Sequence, residues 1–209
     1  MKIINSKVEV LSGLTPADVE YGMKLIEVAM RTCYKSEGHI QAGTAEKMVR
    51  MAIKNGHESV IEHWNCTVKF IVDRGVSHEI VRHRIASYSQ ESTRYCNYSN
   101  EKFGRELTFI RPELPEIQMV SWMELMKTIE KKYMDFIDSG IQPQAARSIL
   151  PNSLKTEVVM TANMREWRHF LKLRTSKQAH PDMRKVAIQL LEIFAKNIPV
   201  IFEDIMYEL

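Results

Sequence analysis

Residues Lys155–Arg174 read KTEVVMTANMREWRHFLKLR. The first part, Lys155 to Thr161, is a β-branched, strand-like run, and from Met164 to Leu173 the pattern turns helical. A strand passing almost at once into a helix argues for a chain of mixed α/β or α+β class. Outward from it, the same alternation recurs. Lys7 to Leu11 alternates Val8 and Val10 with polar neighbours, and Thr15-Pro16 opens a helical pattern through Tyr21, Leu25, Val28 and Ala29. Thr44 is expected to cap a helix over Ala45 to Lys54, stopped by Asn55-Gly56. Cys66 to Val72 reads as a strand that Gly75 ends, and Val76 to Arg84 has helical character with Val76 and Ile80 on its apolar side.

Toward the other end, Leu107 to Ile110 is a short strand before Arg111-Pro112. Glu116 to Ile137 carries a long amphipathic helix whose Val120, Met123, Met126, Ile129, Tyr133 and Phe136 are expected to face a core. Pro143 sits near the start of a short helix holding Arg147 and ended by Leu150-Pro151, and Met183 to Tyr207 is helical, kinked or divided at Pro199. With no repeat, low-complexity tract or linker, residues 1–209 are expected to form one mixed domain with few strands and a helix-rich C-terminal half.

The composition narrows the function classes. At 209 residues, 44% hydrophobic and 26% charged, the chain suits a globular protein and lacks an apolar run long enough for a bilayer span. MKIINSKVEV has no apolar signal core, so a cytoplasmic location and no membrane partner are expected. A net charge of +3 is too small for a protein that coats nucleic-acid backbones. Cys33, Cys66 and Cys96 are odd in number and far apart, which supports neither a disulfide framework nor a zinc ribbon.

Two places concentrate cations. Arg82 to Arg94, RHRIASYSQESTR, packs three Arg, a His, four hydroxyl residues and a Gln around a single carboxylate, Glu91. Arg offers a planar fork of donors that matches phosphate, and hydroxyls complete an anion's shell without adding charge. A helix over Val76 to Arg84 would also allow a merely local Glu79–Arg82 ion pair. The polar stretch Ser87 to Asn100, anchored by Tyr88, Arg94, Tyr95 and Tyr98, is long for a passive connection and reads as a binding loop. The second cluster is Asn163, Arg165, Arg168, His169, Lys172 and Arg174, with 165, 168 and 172 on one helical face. Its spacing suits a solvated basic face and equally a helix start that offers N–H donors to an anion. In GHESVIEH, His57 and His63 are six apart rather than four, so no metal is expected. There is no GxGxxG loop and no Walker sequence, so a nucleotide or flavin must be held without those cradles.

Arg82-His83-Arg84-Ile85-Ala86-Ser87, followed by Ser92 and Arg94, resembles the RHRxxSxNxxSxR signature of the flavin-dependent thymidylate synthases, with Ser89 where the pattern has Asn. The GHESVIEH segment, Ala146-Arg147 with Leu150-Pro151, Asn163 with Arg165, and Leu171 to Arg174 followed by AHPDMR resemble further family elements in family order, from about residue 15 to about 195. The resemblance implies a central sheet flanked by helices and the conversion of dUMP to dTMP. The methylene would come from 5,10-methylenetetrahydrofolate and the hydride from FAD that NADPH has reduced. All these ligands are anions, which accounts for clustered Arg in a nearly neutral chain.

By the same resemblance Ser59, Arg82, His83, Arg84, Gln90, Asn163, Arg165 and His169 are flavin contacts. The dUMP site is Glu79, Arg82, Gln90, Glu91, Ser92, Thr93 and Arg94 with Arg147 and Arg174. The family is a homotetramer with active sites shared between subunits. Its chemistry needs no Cys nucleophile; Arg174 is the residue expected to polarise the uracil ring, Ser92 to position it, and His83 to lie near the flavin and help place folate. A rival reading from another class is a single-stranded nucleic-acid-binding module, with the Arg residues on phosphates and Tyr88, Tyr95 and Tyr98 stacked on bases.

Overall fold

The computed structural model describes residues 1–101 and 104–206. The alternating runs form strands β1 (Lys2–Ile4), β2 (Lys7–Ser12), β3 (Asn65–Asp73), β4 (Ala86–Gln90), β5 (Thr108–Ile110) and β6 (Lys155–Asn163). The helices are α1 (Pro16–Tyr34), α2 (Thr44–Lys54), α3 (Arg74–Ile80), α4 (Glu116–Asp138), α5 (Pro143–Ala146), α6 (Met164–Arg174), α7 (Pro181–Asn197) and α8 (Pro199–Met206), with 3-10 turns at Glu37–His39, Glu58–His63 and Arg147–Ile149. The fold is mixed α/β: β1 pairs in parallel with β5, and a second sheet has the order β2-β3-β6-β4. No helix among the described residues is long and apolar enough to cross a membrane.

The chain packs as two compact units, one of residues 1–7, 71–80 and 89–158, the other of residues 8–70, 81–88 and 159–209, of which 207–209 lie outside the described residues. In the first, Tyr98, Leu107, Phe109, Met126, Tyr133, Ala146 and Leu154 form a buried cluster. Only Met126 and Tyr133 of the expected α4 stripe are buried; Met123, Ile129 and Phe136 are half-buried and Val120 is exposed. In the second, Phe70 meets Phe170 at 5.7 Å, Trp167 meets Phe194 at 5.6 Å, and Phe194 meets Phe202 at 4.9 Å. The Trp167 indole N–H, buried with its ring, donates to the Cys66 carbonyl at 3.1 Å, so α6 is fastened to β3 by both apolar contact and a satisfied polar tip.

Local chemistry explains most element ends. Thr15 and Asp18 form a reciprocal capping box at the start of α1. Thr44 is the first residue of α2 rather than its cap; Gly43 takes that place at φ +79°, and the Thr44 hydroxyl instead donates to the Gln41 carbonyl. Gly75 ends no strand, because β3 stops at Asp73, whose carboxylate accepts from the Val76 N–H at 2.8 Å and so starts α3 immediately. That helix ends at Ile80, four residues short of the expected Arg84. Pro199 divides the C-terminal helical segment into α7 and α8, and Tyr207, the expected end, lies outside the described residues.

Within α1, Gly22 lies against the face of the buried Trp64, where a Cβ would press into the indole ring. Gly22→Ala is expected to destabilise the protein by about 1–3 kcal/mol, the scale of overpacking a filled site, despite alanine's better helix propensity. Urea unfolding of the two proteins measures it.

Candidate active site

The turn from β6 into α6 places the second cationic cluster. Asn163 caps α6, its side chain accepting from the Glu166 N–H at 2.9 Å, so the helix begins at a fixed residue and in a fixed rotation. Asn163, Arg165, His169 and Lys172 then line one cavity of about 540 Å³ with Glu58, Glu62, Ile85, Glu166 and Arg168. Arg165 donates to Glu62 at 2.6 Å, across to the 3-10 turn Glu58–His63.

Arg168 does not belong to a solvated face. Only 2% exposed, it donates to Glu58 at 3.0 Å, to both Asp204 oxygens at 2.7 and 2.6 Å, and to the Ile201 carbonyl. Burial alone would lower its pKa; hydrogen bonds and charge from Asp204 and Glu58 hold it above the usual value instead. Asp204 is depressed in turn: burial pushes its carboxyl up, but Arg168 outweighs that.

His83 follows α3 by three residues and is 4% exposed. Its Nδ1 lies 3.2 Å from Glu166 Oε1, and the Arg174 Nε–H donates to its Nε2 at 3.1 Å. The Tyr88 hydroxyl donates to its carbonyl at 2.6 Å, and its ring centroid lies 4.7 Å from Phe170 and 5.6 Å from His169. Burial, then the nearby Arg174 and His169 charges, push its pKa down to about 4. Burial raises the Glu166 carboxyl. His83, Glu166 and His169 also bring three ligand-type atoms within 4.8 Å of one another. Both His83 nitrogens already have partners, so an ion there would have to displace one of them. Arg82 and Arg84 flank this buried imidazole and are both exposed, as is Ser59 on its 3-10 turn.

The other unit holds the rest of the expected site residues. Residues 86–90 are the strand β4, not part of a loop, and the alternation of the strand leaves Ser87 and Ser89 exposed while Tyr88 and Gln90 are half-buried. Gln90 donates to Ser77 at 2.9 Å and to Thr156 at 3.3 Å. Glu91 accepts from Tyr98 at 2.8 Å and from Lys155 at 3.0 Å. Burial would lower Lys155, but Glu157 and Glu91 together hold its ammonium above the usual range. Ser92 closes the next turn, its hydroxyl accepting from the Arg94 N–H at 3.3 Å, and the exposed Arg94 guanidinium stands 5.3 Å over the Tyr95 ring. Thr93 is buried, with the exposed Arg147 donating to its hydroxyl at 3.5 Å. Glu79 lies half-buried on α3, which ends before Arg82, so the local helical pair considered from spacing does not form on one helix.

Within one unit the structure thus assembles His83, Asn163, Arg165, His169 and Arg174; within the other, Gln90 and Glu91 to Arg94 with Arg147. Glu58, Glu62 and Glu166 were missed. The only local signal was Glu166 and His169 at i, i+3, since the partners of Glu58 and Glu62 are more than a hundred residues away.

The family model described as "Thymidylate synthase complementing protein" matches residues 18–200. The chain is 34% identical over 204 residues to the flavin-dependent thymidylate synthase of Mycobacterium tuberculosis (strain ATCC 25618 / H37Rv), covering 90% of this chain and 81% of the relative. The enzyme of the same name from Mycobacteroides abscessus is 33% identical over 202 residues, with the same coverage. Among solved structures, the UMP/dUMP methylase PolB from Streptomyces cacaoi, bound with 5-Br dUMP, shares the fold at a TM-score of 0.79 and 24% identity, covering 97% of this chain and 96% of that one.

Below pH 6.5, an unfolded chain takes up a proton at His83 that the native protein refuses until about pH 4. The unfolded state binds more protons across that window, so this residue's contribution makes stability fall as pH drops through it. Denaturant unfolding at the two ends of the window measures the slope, and His83→Gln is expected to flatten it.

Proposed function

Because this chain belongs to the flavin-dependent thymidylate synthase family, we infer that it methylates dUMP to dTMP with 5,10-methylenetetrahydrofolate as carbon donor and FAD as its flavin. The observation that carries the reading at the level of residues is the cavity at the start of α6, where Asn163, Arg165, His169 and Lys172 converge. This donor set fits a phosphate-bearing flavin: a capping amide, a guanidinium and an ammonium share one concavity, in which Glu62 is paired with Arg165 itself and Glu58 with Arg168. Bound FAD, reduced by NADPH, supplies the hydride.

In this reading Arg165, Asn163 and His169 bind the flavin nucleotide, with Ser59, Arg82, His83, Arg84 and Gln90. The pyrimidine nucleotide takes Glu79, Arg82, Gln90, Glu91, Ser92, Thr93, Arg94, Arg147 and Arg174. The methylene carbon bonds to C5 of the uracil as its bonds to the two folate nitrogens break and tetrahydrofolate leaves, C5 gives up its proton, and the added hydride completes the methyl group. Arg174 acts electrostatically, offering positive charge to ring oxygens that gain negative charge as C5 attacks. Ser92 positions the ring: its hydroxyl accepts a backbone N–H in a turn. Cys66 is unsuited to nucleophilic attack, because burial pushes its thiol up to about 12 and its Sγ–H is directed at the Ser12 carbonyl. A homotetramer with shared active sites and a cytoplasmic location complete the proposal.

The rival nucleic-acid reading loses one of its stacking platforms, since Tyr98 is buried and hydrogen-bonded to Glu91. The purified protein is expected to be yellow, with its visible flavin absorbance bleached by NADPH under anaerobic conditions; a colourless preparation that FAD does not reconstitute overturns the proposal. Arg174→Ala is expected to lower tritium release from dUMP labelled at C5 by about 100-fold or more, the scale of losing an electrostatic donor to the transition state.

A further inference from the structure

We propose that Glu166 and His83 form a positioning chain that fixes the direction of the Arg174 guanidinium, with Glu166 acting on Arg174 only through the His83 ring. The inference rests on the role given to Arg174 above and adds two residues to that site.

Arg174 Nε carries a hydrogen and can only donate, so His83 Nε2, 3.1 Å away, must present a lone pair. The ring proton is then on Nδ1, where it donates to Glu166 Oε1 at 3.2 Å. The opposite tautomer would set two N–H groups against each other at Arg174 and a lone pair against a carboxylate at Glu166. An imidazolium would keep the clash at Nε2, and burial with the Arg174 and His169 charges opposes it as well. Each partner therefore selects the same tautomer, and the two selections reinforce each other.

The geometry leaves the ring little freedom to break this arrangement. Phe170 and His169 of α6 pack against it, and the Tyr88 hydroxyl from β4 holds its carbonyl at 2.6 Å. Glu166 lies at the third position of α6, where the Asn163 cap fixes the backbone. Glu166 and Arg174 are eight residues apart on that helix, about 12 Å along its axis, so an imidazole from another segment is what links them. An arginine whose Nε is committed in this way keeps its guanidinium plane set before substrate arrives. Electrostatic stabilisation of a transition state gains most from such preorganised donors.

The test uses the flavin-loaded enzyme, with kcat and KM for dUMP read from tritium release. Glu166→Ala is expected to lower kcat about 10-fold to 100-fold with a smaller change in KM and with flavin content unchanged. Glu166→Gln, whose amide oxygen still accepts the Nδ1 proton, restores most of that loss. In a His83→Ala background Glu166→Ala adds nothing, the non-additivity of two residues acting in series. A second measurement needs neither activity nor a substitution. Nitrogen NMR of the protein labelled at histidine is expected to show His83 protonated at Nδ1 and bare at Nε2. Full activity in Glu166→Ala, an equal loss in both backgrounds, or a proton at Nε2 overturns the proposal. If the parent protein releases no tritium the functional reading fails instead, and the NMR assignment still decides the tautomer by itself.

Discussion

A guanidinium that is 2% exposed sets the terms for the unit that contains α6. Without partners, Arg168 inside this unit would cost several kcal/mol in lost hydration. Its Nε, Nη1 and Nη2 are all satisfied, by Glu58 from the 3-10 turn, by Asp204 from α8 and by the Ile201 carbonyl. One buried cation therefore ties two segments, the Glu58–His63 turn and α8, to α6, and that turn and α6 both supply walls of the cavity. Removing either carboxylate would leave the buried guanidinium with one of its two anionic partners and with N–H groups that have lost their acceptors. The ion pairs here act less as net stabilisers than as constraints on which geometry the segments adopt.

The neighbouring residues on α6 divide the same helix into functions. Trp167, Phe170 and Leu171 are fully buried and build the core, while Arg165, His169 and Lys172 look into the cavity. Arg174 closes the helix at its C-terminal end, where a cation is favoured by the helix dipole, and it is held sideways by His83. The RHR run shows the same division within three residues. Its middle residue is buried and hydrogen-bonded on both nitrogens, whereas Arg82 and Arg84 are exposed. Two exposed cations thus flank one imidazole that packing and two hydrogen bonds hold in place.

Elements governed by local period were legible in the sequence: the β6–α6 passage, α1 opening after Thr15, α4 and the break at Pro199 all lie where the spacing places them. The misreadings share a cause. Gly75 and the helical pattern through Arg84 suggested a stop and a long helix, but the Asp73 carboxylate starts α3 at once and the chain turns after Ile80. Residues 87–90 looked like loop because they are polar, yet a strand needs only backbone partners, and β6 provides them. Arg168 shared a helical face with Arg165 and Lys172 by arithmetic. Its burial depends on Asp204 and Glu58, 36 and 110 residues away, which no local window contains.

The departure from the family signature at Ser89 is intelligible on the same grounds. β4 turns Tyr88 and Gln90 inward, where the first holds the His83 carbonyl and the second donates to Ser77 and Thr156. Those two side chains carry the hydrogen bonds that tie the strand to its surroundings. Ser89 lies between them on the exposed side with Ser87, so the exchange of a longer amide for a hydroxyl there removes nothing that β4 needs in order to form. Asn is depleted from strands while a small hydroxyl residue is tolerated on an exposed position, so the change is compatible with the strand.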